Sequence, residues 1–190
     1  MKRFVLLIVL AGYFIFIGYI VYGLINEYVL QEEPDWDQIG VENVGTVYKI
    51  SLGRGGGAFI WHFVDGKKYQ AFDGTHFYGM VIGDKFKILY DPFNPEKFKT
   101  KSWEPVFLED EETIEVTGEI TKVNDHTWWS KGKILFTYQV DGKFFKRGQH
   151  LAPNYKEYYP NLKEGNKYLV RYWVKNPQRA IIYLDKPQGK

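Results

Sequence analysis

Cysteine is absent from this chain of 190 residues. Disulfide bonds and thiolate metal sites are therefore excluded, whereas the redox compartment stays open because a cysteine-free chain suits either environment. Catalytic motifs are absent as well, since the sequence holds no G-x-S-x-G nucleophile elbow, no H-E-x-x-H zinc helix and no complete P-loop. We therefore predict a protein that is not an enzyme and that carries no metal or cofactor.

Charged residues are missing from positions 4–25, and Lys2 and Arg3 precede this run. As a helix, its 22 residues would span ~33 Å, which matches a hydrocarbon core of about 30 Å. The alternatives are a buried core helix, which seldom runs this far without a charge, and a cleaved signal peptide, whose apolar region is shorter and ends in small residues. We predict an uncleaved transmembrane signal anchor over residues 1–26.

Positive charge flanks only the N-terminal end of this anchor, because no cation follows it before Lys49. By the positive-inside bias, the N-terminus stays in the cytoplasm and the rest of the chain faces the periplasm or the cell exterior. The sequence thus predicts a single-pass protein of the inner (cytoplasmic) membrane.

Acidic residues are concentrated in two short stretches. Residues 27–44 and 103–116 each carry six acids and no base, whereas the stretches that follow them are basic. A solvated spacer is the ordinary role of such acid clusters. The predicted organisation is an acidic linker over 27–44, a first domain over 45–102, a second acidic linker over 103–113 and a second domain over 114–190.

The two basic domains carry the same motifs in the same order. Gly45–Ile50 recurs 73 residues later, Val64–Lys67 recurs 76 residues later, and Gly83–Phe86 recurs 82 residues later. The offset only grows, which indicates a duplication with small loop insertions in the second copy. A period of this length favours two domains over a solenoid.

Each copy has the pattern of an all-β domain. The 15 Tyr, 14 Phe and 6 Trp favour strands, and Asp-Gly at 65–66 and at 141–142 predicts a type I′ hairpin in each copy. The apolar alternation slips by one residue in both copies, which predicts a β-bulge near Lys49 and Lys122. The predicted fold is all-β: two tandem small five-stranded barrel-like domains preceded by one N-terminal transmembrane helix. A helical turn is expected around residues 154–159.

Three motifs of the first copy carry a resemblance to a known family. They are a G-x-V-x-K opening (Gly45, Val47, Lys49), a V-D-G-K hairpin (Val64–Lys67) and a closing G-D-K…Y-D-P-x-N-P element between Gly83 and Pro95. This set resembles a bacterial membrane-associated family of domains of unknown function, which implies a duplicated, membrane-associated protein without established catalytic residues. The second copy departs from it, since residues 172–177 lack the Asp-Pro element. We expect the motifs to be structural, with Asn-Pro ending a strand and setting a turn.

The most specific candidate for a binding site is a loop of the second copy, with His126, Trp128 and Trp129. Adjacent residues of a strand point to opposite faces, so at least one of the two tryptophans is expected to be exposed. Exposed tryptophan is typical of binding hot spots. We predict that these three residues contact a partner; the alternatives are packing on the barrel rim and stacking on a sugar.

Two histidines, His76 and His150, lie at similar places in the two copies and could form a metal or pH-sensitive site. Because no histidine spacing supports a metal site, equivalent packing is the simpler interpretation. The basic second copy could suggest nucleic acid, but its predicted location argues against that partner.

The predicted partners are therefore the lipid bilayer and a protein of the cell envelope, without nucleic acid. The predicted function is a membrane-anchored, extracytoplasmic protein-interaction module: an accessory subunit of an envelope complex or an immunity-type binding protein. The alternative function is a receptor for a glycan or a lipid headgroup.

Overall fold

A computed structural model describes residues 13, 15–21, 34–51, 56–74, 79–125 and 132–188. The chain forms two compact units, Met1–Trp36 and Asp37–Lys190. In the first unit, residues 13 and 15–21 are helical, and their large apolar side chains are exposed. None of the helices in the described residues has the length and apolar character that crossing a membrane requires. Most of the predicted span over 4–25 lies outside the described residues.

The described part of the chain contains ten strands and two short helices besides the N-terminal helical residues. Both α1 (Trp36–Ile39) and α2 (Tyr155–Tyr158) are single helical turns, and α2 lies where the sequence predicted one. The strands are β1 (Val41–Ser51), β2 (Gly57–Val64), β3 (Lys67–Asp73), β4 (Lys85–Asp91), β5 (Asn94–Pro105), β6 (Thr113–Asn124), β7 (Lys133–Val140), β8 (Lys143–His150), β9 (Lys167–Trp173) and β10 (Asn176–Pro187).

The strands form two five-stranded antiparallel sheets, which confirms the all-β prediction. Their strand orders are β3-β2-β1-β4-β5 and β10-β9-β6-β7-β8, so each copy of the duplication forms one sheet with the same topology. The strands extend beyond the predicted domain boundaries, since β1 begins at Val41 and β5 continues to Pro105. The observed connection between the sheets, residues 106–112, is consequently shorter than the predicted linker over 103–113.

The hairpins and the bulges lie where the sequence predicted them. Asp65 and Gly66 have φ values of 51° and 76°, and Asp141 and Gly142 have 49° and 79°, as a type I′ turn requires. The register of β1 on β2 shifts between Val47 and Lys49, and that of β6 on β7 shifts between Ile120 and Lys122. Both copies therefore bend their first strand at the same place.

A glycine faces the interior at the start of this bend in each copy. A Cβ atom on Gly45 would lie 2.7 Å from Ile60, and one on Gly118 would lie 2.4 Å from Val170. Both distances are too short for a real contact, so only glycine leaves room for these side chains of the neighbouring strands β2 and β9. The shared opening motif is thus explained by packing.

The edge strands of each sheet approach each other, as in a sheet that begins to close into a barrel. β3 contacts β5 in the first sheet, and β8 contacts β10 in the second. The Gln149 amide spans the second seam: its Nε2 donates to the Ile182 carbonyl at 3.1 Å, and its Oε1 accepts from the Ile182 N–H at 3.0 Å. Gln149 thereby supplies the hydrogen bonds that a neighbouring strand would make.

His62 in β2 and Tyr138 in β7 are equivalent residues at one end of each sheet. The His62 ring nitrogen Nε2 bonds to the Pro95 carbonyl at 2.8 Å, and the Tyr138 hydroxyl donates to the Pro177 carbonyl. Burial lowers the pKa of His62, although the bond to Pro95 opposes the shift. His62 is therefore a structural group of the core.

The Asn-Pro elements begin strands, because Pro95 lies in β5 and Pro177 lies in β10. The prediction that Asn-Pro ends a strand was wrong. A proline lacks only the N–H donor, so it is tolerated at the first residues of a strand, where that donor is not needed for the ladder. The turn itself precedes the asparagine.

Each sheet has its own apolar core. The core of the first sheet is smaller and centres on Val47, Ala58, Ile60 and Phe86. The core of the second sheet includes twelve buried residues, among them Ile120, Phe136, Val170 and Ile182. Among the described residues, the two copies therefore keep separate hydrophobic cores.

Candidate functional site

The residues that the sequence singled out for partner binding, His126, Trp128 and Trp129, lie outside the described residues, as does His76. His150 is described and lies at the end of β8, where its Nδ1 forms a 2.8 Å hydrogen bond with the Ser102 hydroxyl of β5. Ser102 is only 1% exposed, so this pair offers no nucleophile to a substrate. Among the described residues, no three potential metal ligands cluster.

Arg147 and Asp84 form an ion pair between the two sheets. Arg147 lies in β8 of the second sheet, and Asp84 immediately precedes β4 of the first. Arg147 Nη2 lies 2.9 Å from both carboxylate oxygens, and Nη1 donates to the Gly79 carbonyl. Burial raises the pKa of Asp84, and the charge of Arg147 counteracts that rise. Because both groups are almost fully buried, neither can lose its partner without leaving a desolvated charge.

The pair has no reciprocal counterpart, since each of its two residues is replaced by an uncharged residue at the equivalent position of the other copy. The matching hairpin registers place Ala71 where the second copy has Arg147, and Asn166 stands where the first copy has Asp84. Asp84 and Asn166 each accept a 2.8 Å hydrogen bond from the backbone N–H three residues earlier. Only the aspartate adds a charge that can bind an arginine. The two copies have diverged so that they pair with each other.

Glu111 joins this junction from the connection between the sheets. Its side chain is 7% exposed and accepts hydrogen bonds from Arg179, at 2.8 Å for the Nη2 bond, and from the Lys85 ammonium. The Arg179 guanidinium also lies 4.8 Å from the centre of the Phe107 ring. Burial acts to raise the pKa of Glu111, but Arg179 and Lys85 outweigh it and lower the pKa from 4.5 to about 2.

The prediction of a solvated acidic linker was therefore wrong at this residue. Its neighbours Glu109, Asp110 and Glu112 are exposed, as a spacer would be. Lys85 and Arg179 come from distant parts of the chain, and nothing in the local sequence marks one carboxylate of the four as their partner. The connection fastens the two sheets to each other.

The cavity at the junction is too small for a ligand. It measures about 20 Å³ and is lined by Asp84, Arg147, Ser102 and His150, among others. That volume is close to the space that a single water needs. We conclude that the junction is structural.

The outer face of β1, β2 and β3 carries a group of rings and lysines, which we call the aromatic–lysine face. The bulge in β1 brings Tyr48 and Lys49 to the same side of the strand, where both lie against Phe59. The centres of the Tyr48 and Phe59 rings are 6.0 Å apart, and the Lys49 ammonium lies 5.0 Å from the centre of the Phe59 ring. Phe63 is 50% exposed and Phe72 is 46% exposed. The face comprises Tyr48, Lys49, Phe59, Trp61, Phe63, Lys68 and Phe72.

These side chains hold each other in place. The Trp61 and Phe63 rings make an edge-to-face contact with centres 5.2 Å apart. The Lys68 ammonium lies 5.0 Å from the centre of the Trp61 ring and 5.6 Å from that of Tyr48. Such contacts orient the lysine while leaving its charge at the surface. The face is thus a preformed surface whose charges are all positive.

The second copy lacks this surface although it has the same fold. Its residues at the equivalent positions of β7 are Leu135, Thr137 and Gln139 in place of Phe59, Trp61 and Phe63, and Gly148 replaces Phe72. The duplication therefore shows that the fold does not require these rings.

The aromatic–lysine face was not among the predicted sites, although the sequence contains a signal for it. In β2 the residues Phe59, Trp61 and Phe63 alternate with Ala58, Ile60 and His62, so the strand is apolar on both sides. An antiparallel strand with only one buried face does not need that pattern. The lysines gave a weaker signal, because lysine is ordinary on any surface.

Comparison of the chain with protein-family models, with curated proteins and with solved structures finds no match. The interpretation of the surface consequently rests on its own chemistry.

Proposed function

We propose that this protein is a membrane-anchored, extracytoplasmic interaction module without enzymatic activity, and that the aromatic–lysine face binds an acidic partner protein of the cell envelope. It would act as an accessory subunit of an envelope complex or as an immunity-type binding protein. The observation that carries the proposal is the group of rings on the outer face of the first sheet, which the second sheet folds without.

The chemistry of the face favours a protein partner. Tryptophan, tyrosine and phenylalanine supply large contact areas at the centre of protein interfaces. Rings that pack against each other before binding lose little conformational freedom on binding. The face is therefore suited to a specific, preorganised contact.

The charge of the face favours an acidic partner. Lys49 and Lys68 are both exposed at its surface. Lysines at an interface raise the association rate of a partner of opposite charge and disfavour partners of like charge. We expect added salt to slow association more than it speeds dissociation.

The uncharged run over residues 4–25 supports the membrane anchor, and Lys2 and Arg3 support the orientation with the bulk of the chain outside the cytoplasm. The acidic residues between the anchor and Val41, where β1 begins, would separate the anchor from the sheets.

The loop residues His126, Trp128 and Trp129 remain a second predicted contact. We expect Trp128→Ala or Trp129→Ala to weaken retention of a specific partner without changing the unfolding midpoint. Unchanged retention by both variants would exclude the loop and leave the aromatic–lysine face as the contact.

Co-purification of the full chain in mild detergent tests the proposal. Trp61→Ala and Lys68→Glu should each reduce recovery of one identified partner about tenfold, as loss of a hot-spot residue does. Phe144→Ala is the matched control, because Phe144 is 78% exposed on β8 of the second copy and lies outside the face. Equal loss in all three variants, or loss in none, would contradict the proposal.

Two further treatments separate a protein partner from other anionic ligands. Nuclease treatment should leave the complex intact, and recovery should not depend on added anionic phospholipid. If the variants instead abolish binding of nucleic acid or of lipid vesicles, the partner class is wrong even though the surface is right.

A further inference from the structure

A cleft lies where the two sheets meet, beside the small junction cavity, and His150 lines both. Its volume is about 320 Å³, which falls in the range of small-molecule sites. The end of β5 forms one wall, and β10 forms another. Neither copy could form this cleft alone, because both contribute walls.

The third wall comes from an insertion in the second copy. The offset between the copies rises from 76 at the hairpin to 82 at the next motif, which places the extra residues between β8 and β9. This connection contains α2, whose Tyr155 lines the cleft together with Tyr159. The insertion also serves the second sheet, since Tyr155 is buried in its core and Tyr159 packs against that core. The wall that the insertion adds to the cleft has no counterpart in the sequence of the first copy.

The lining combines aromatic rings with carboxylates. Trp103, Tyr159 and Tyr183 contribute rings, and Glu104 and Asp185 contribute carboxylates. Rings of this kind pack against the apolar C–H face of a pyranose, while carboxylates accept hydrogen bonds from its hydroxyl groups. This combination fits a neutral sugar.

Lys87, the lysine that the described residues contribute to the lining of the cleft, is already paired. The Lys87 ammonium lies 2.9 Å from a carboxylate oxygen of Glu42 and 3.7 Å from one of Glu104. A phosphate or another anion would have to compete with these carboxylates and would meet Asp185 as well. The Arg171 guanidinium and the Lys186 ammonium each lie 5.3 Å from the centre of the Tyr183 ring. The surroundings of the cleft therefore carry charges of both signs, which gives an anion no clear advantage over a neutral ligand.

The walls are held at a fixed distance from each other. The pairs Arg147–Asp84 and Arg179–Glu111 tie the second sheet to the first and to the connection between them. The Ser102–His150 hydrogen bond lies beside the cleft and also joins β5 to β8. A site whose walls are already rigid loses less conformational entropy when a ligand binds, so less of the binding free energy is offset.

We propose that this cleft binds a neutral oligosaccharide, with Trp103 as the stacking platform and Asp185 as a hydroxyl acceptor. The proposal goes beyond the partner-binding function and does not depend on it. The cleft and the aromatic–lysine face share no residue, so variants of one leave the other intact.

Calorimetric titration of the full chain with chitotetraose and maltotetraose tests the site, in a detergent that lacks a sugar headgroup. We expect at least one of the two to bind. Trp103→Ala and Asp185→Asn should each weaken that binding about tenfold, whereas Trp103→Phe should retain most of it. Trp61→Ala, on the aromatic–lysine face, is the control and should bind as the unmodified chain does.

Asp185 is exposed, so Asp185→Asn tests the site even if Trp103→Ala fails to fold. The proposal is overturned if neither oligosaccharide binds at millimolar concentration, or if binding survives both Trp103→Ala and Asp185→Asn in folded protein. It is also overturned if inorganic phosphate or an acidic peptide binds in the cleft in place of the sugars. Loss of the partner protein in the Trp61→Ala variant with sugar binding retained would show that the two sites act independently.

Discussion

At the scale of single residues, one difference between the copies lies where the two sheets touch. Asp84 and Asn166 perform the same backbone-capping task, and the difference of one oxygen and one charge decides which of them can bind Arg147. An aspartate at position 84 and an arginine at position 147 thus add an ion pair between the two sheets to a motif that is otherwise repeated.

A double-mutant cycle on this pair measures the fastening. Asp84→Asn should lower the free energy of unfolding by about 3 kcal/mol, because it leaves Arg147 buried without a counter-charge. In the double variant Asp84→Asn, Arg147→Ala, each of the two positions has the residue type of its equivalent in the other copy, Asn166 or Ala71. We expect it to be less destabilised than the sum of the single variants, as measured by urea unfolding. Additive effects would show that the two groups do not interact.

Glu111 makes the stability dependent on pH in the acid range. Its pKa of about 2 lies below the ordinary value of 4.5, so its contribution is complete above pH 4.5 and is lost as the pH falls towards 2. Glu111→Gln should therefore destabilise the protein at neutral pH and differ less and less from the unmodified chain on acidification. Glu112→Gln, which changes an exposed neighbour, is the control. A pH-independent difference for Glu111→Gln would contradict the assignment.

At the scale of elements, the local features were predictable and the contacts between distant strands were not. The Asp-Gly turns and the slip of the apolar alternation depend only on neighbouring residues, and the structure has hairpins and bulges at those places. The pairing of Glu111 with Lys85 and Arg179 depends on how the chain returns after dozens of residues. A lone sequence contains no sign of such a pairing.

The seam of the second sheet provides a test at this scale. Gln149→Ala removes the two hydrogen bonds that join β8 to Ile182 in β10. We expect the free energy of unfolding to fall by about 1–2 kcal/mol and the Ile182 amide to exchange its hydrogen faster. Gln139→Ala, on an exposed site of β7, should change neither quantity. Unchanged exchange at Ile182 in the Gln149→Ala variant would show that the seam does not need the side chain.

At the scale of the whole molecule, the motif offsets predicted the duplication, but they did not predict how the two copies pack together. The sequence predicted two domains separated by a solvated acidic linker over residues 103–113, and in the structure both sheets belong to one compact unit. The candidate loop with Trp128 and Trp129 came from conspicuous residues, while the aromatic–lysine face needed the strand register before its members could be placed on one side. Rings spaced two residues apart become a surface only once the neighbouring strands are known.

The membrane topology is a separate prediction for the whole chain. A reporter that is active only outside the cytoplasm, fused after Lys190, should be active, and alkaline extraction should leave the protein in the membrane fraction. The physical reason is the uncharged run over 4–25 behind Lys2 and Arg3. A mature N-terminus near Glu27 would contradict the anchor, and activity of a cytoplasm-only reporter would contradict the orientation.

We have proposed that the first sheet binds its partner through a face that the second sheet lacks. Site-specific photo-crosslinking in intact cells tests this proposal, with a crosslinking amino acid in place of Phe63 in one variant and of Phe144 in another. We expect a crosslink to one identified envelope protein from position 63 and none from position 144. The same crosslink from both positions, or a crosslink from position 144 alone, would contradict it.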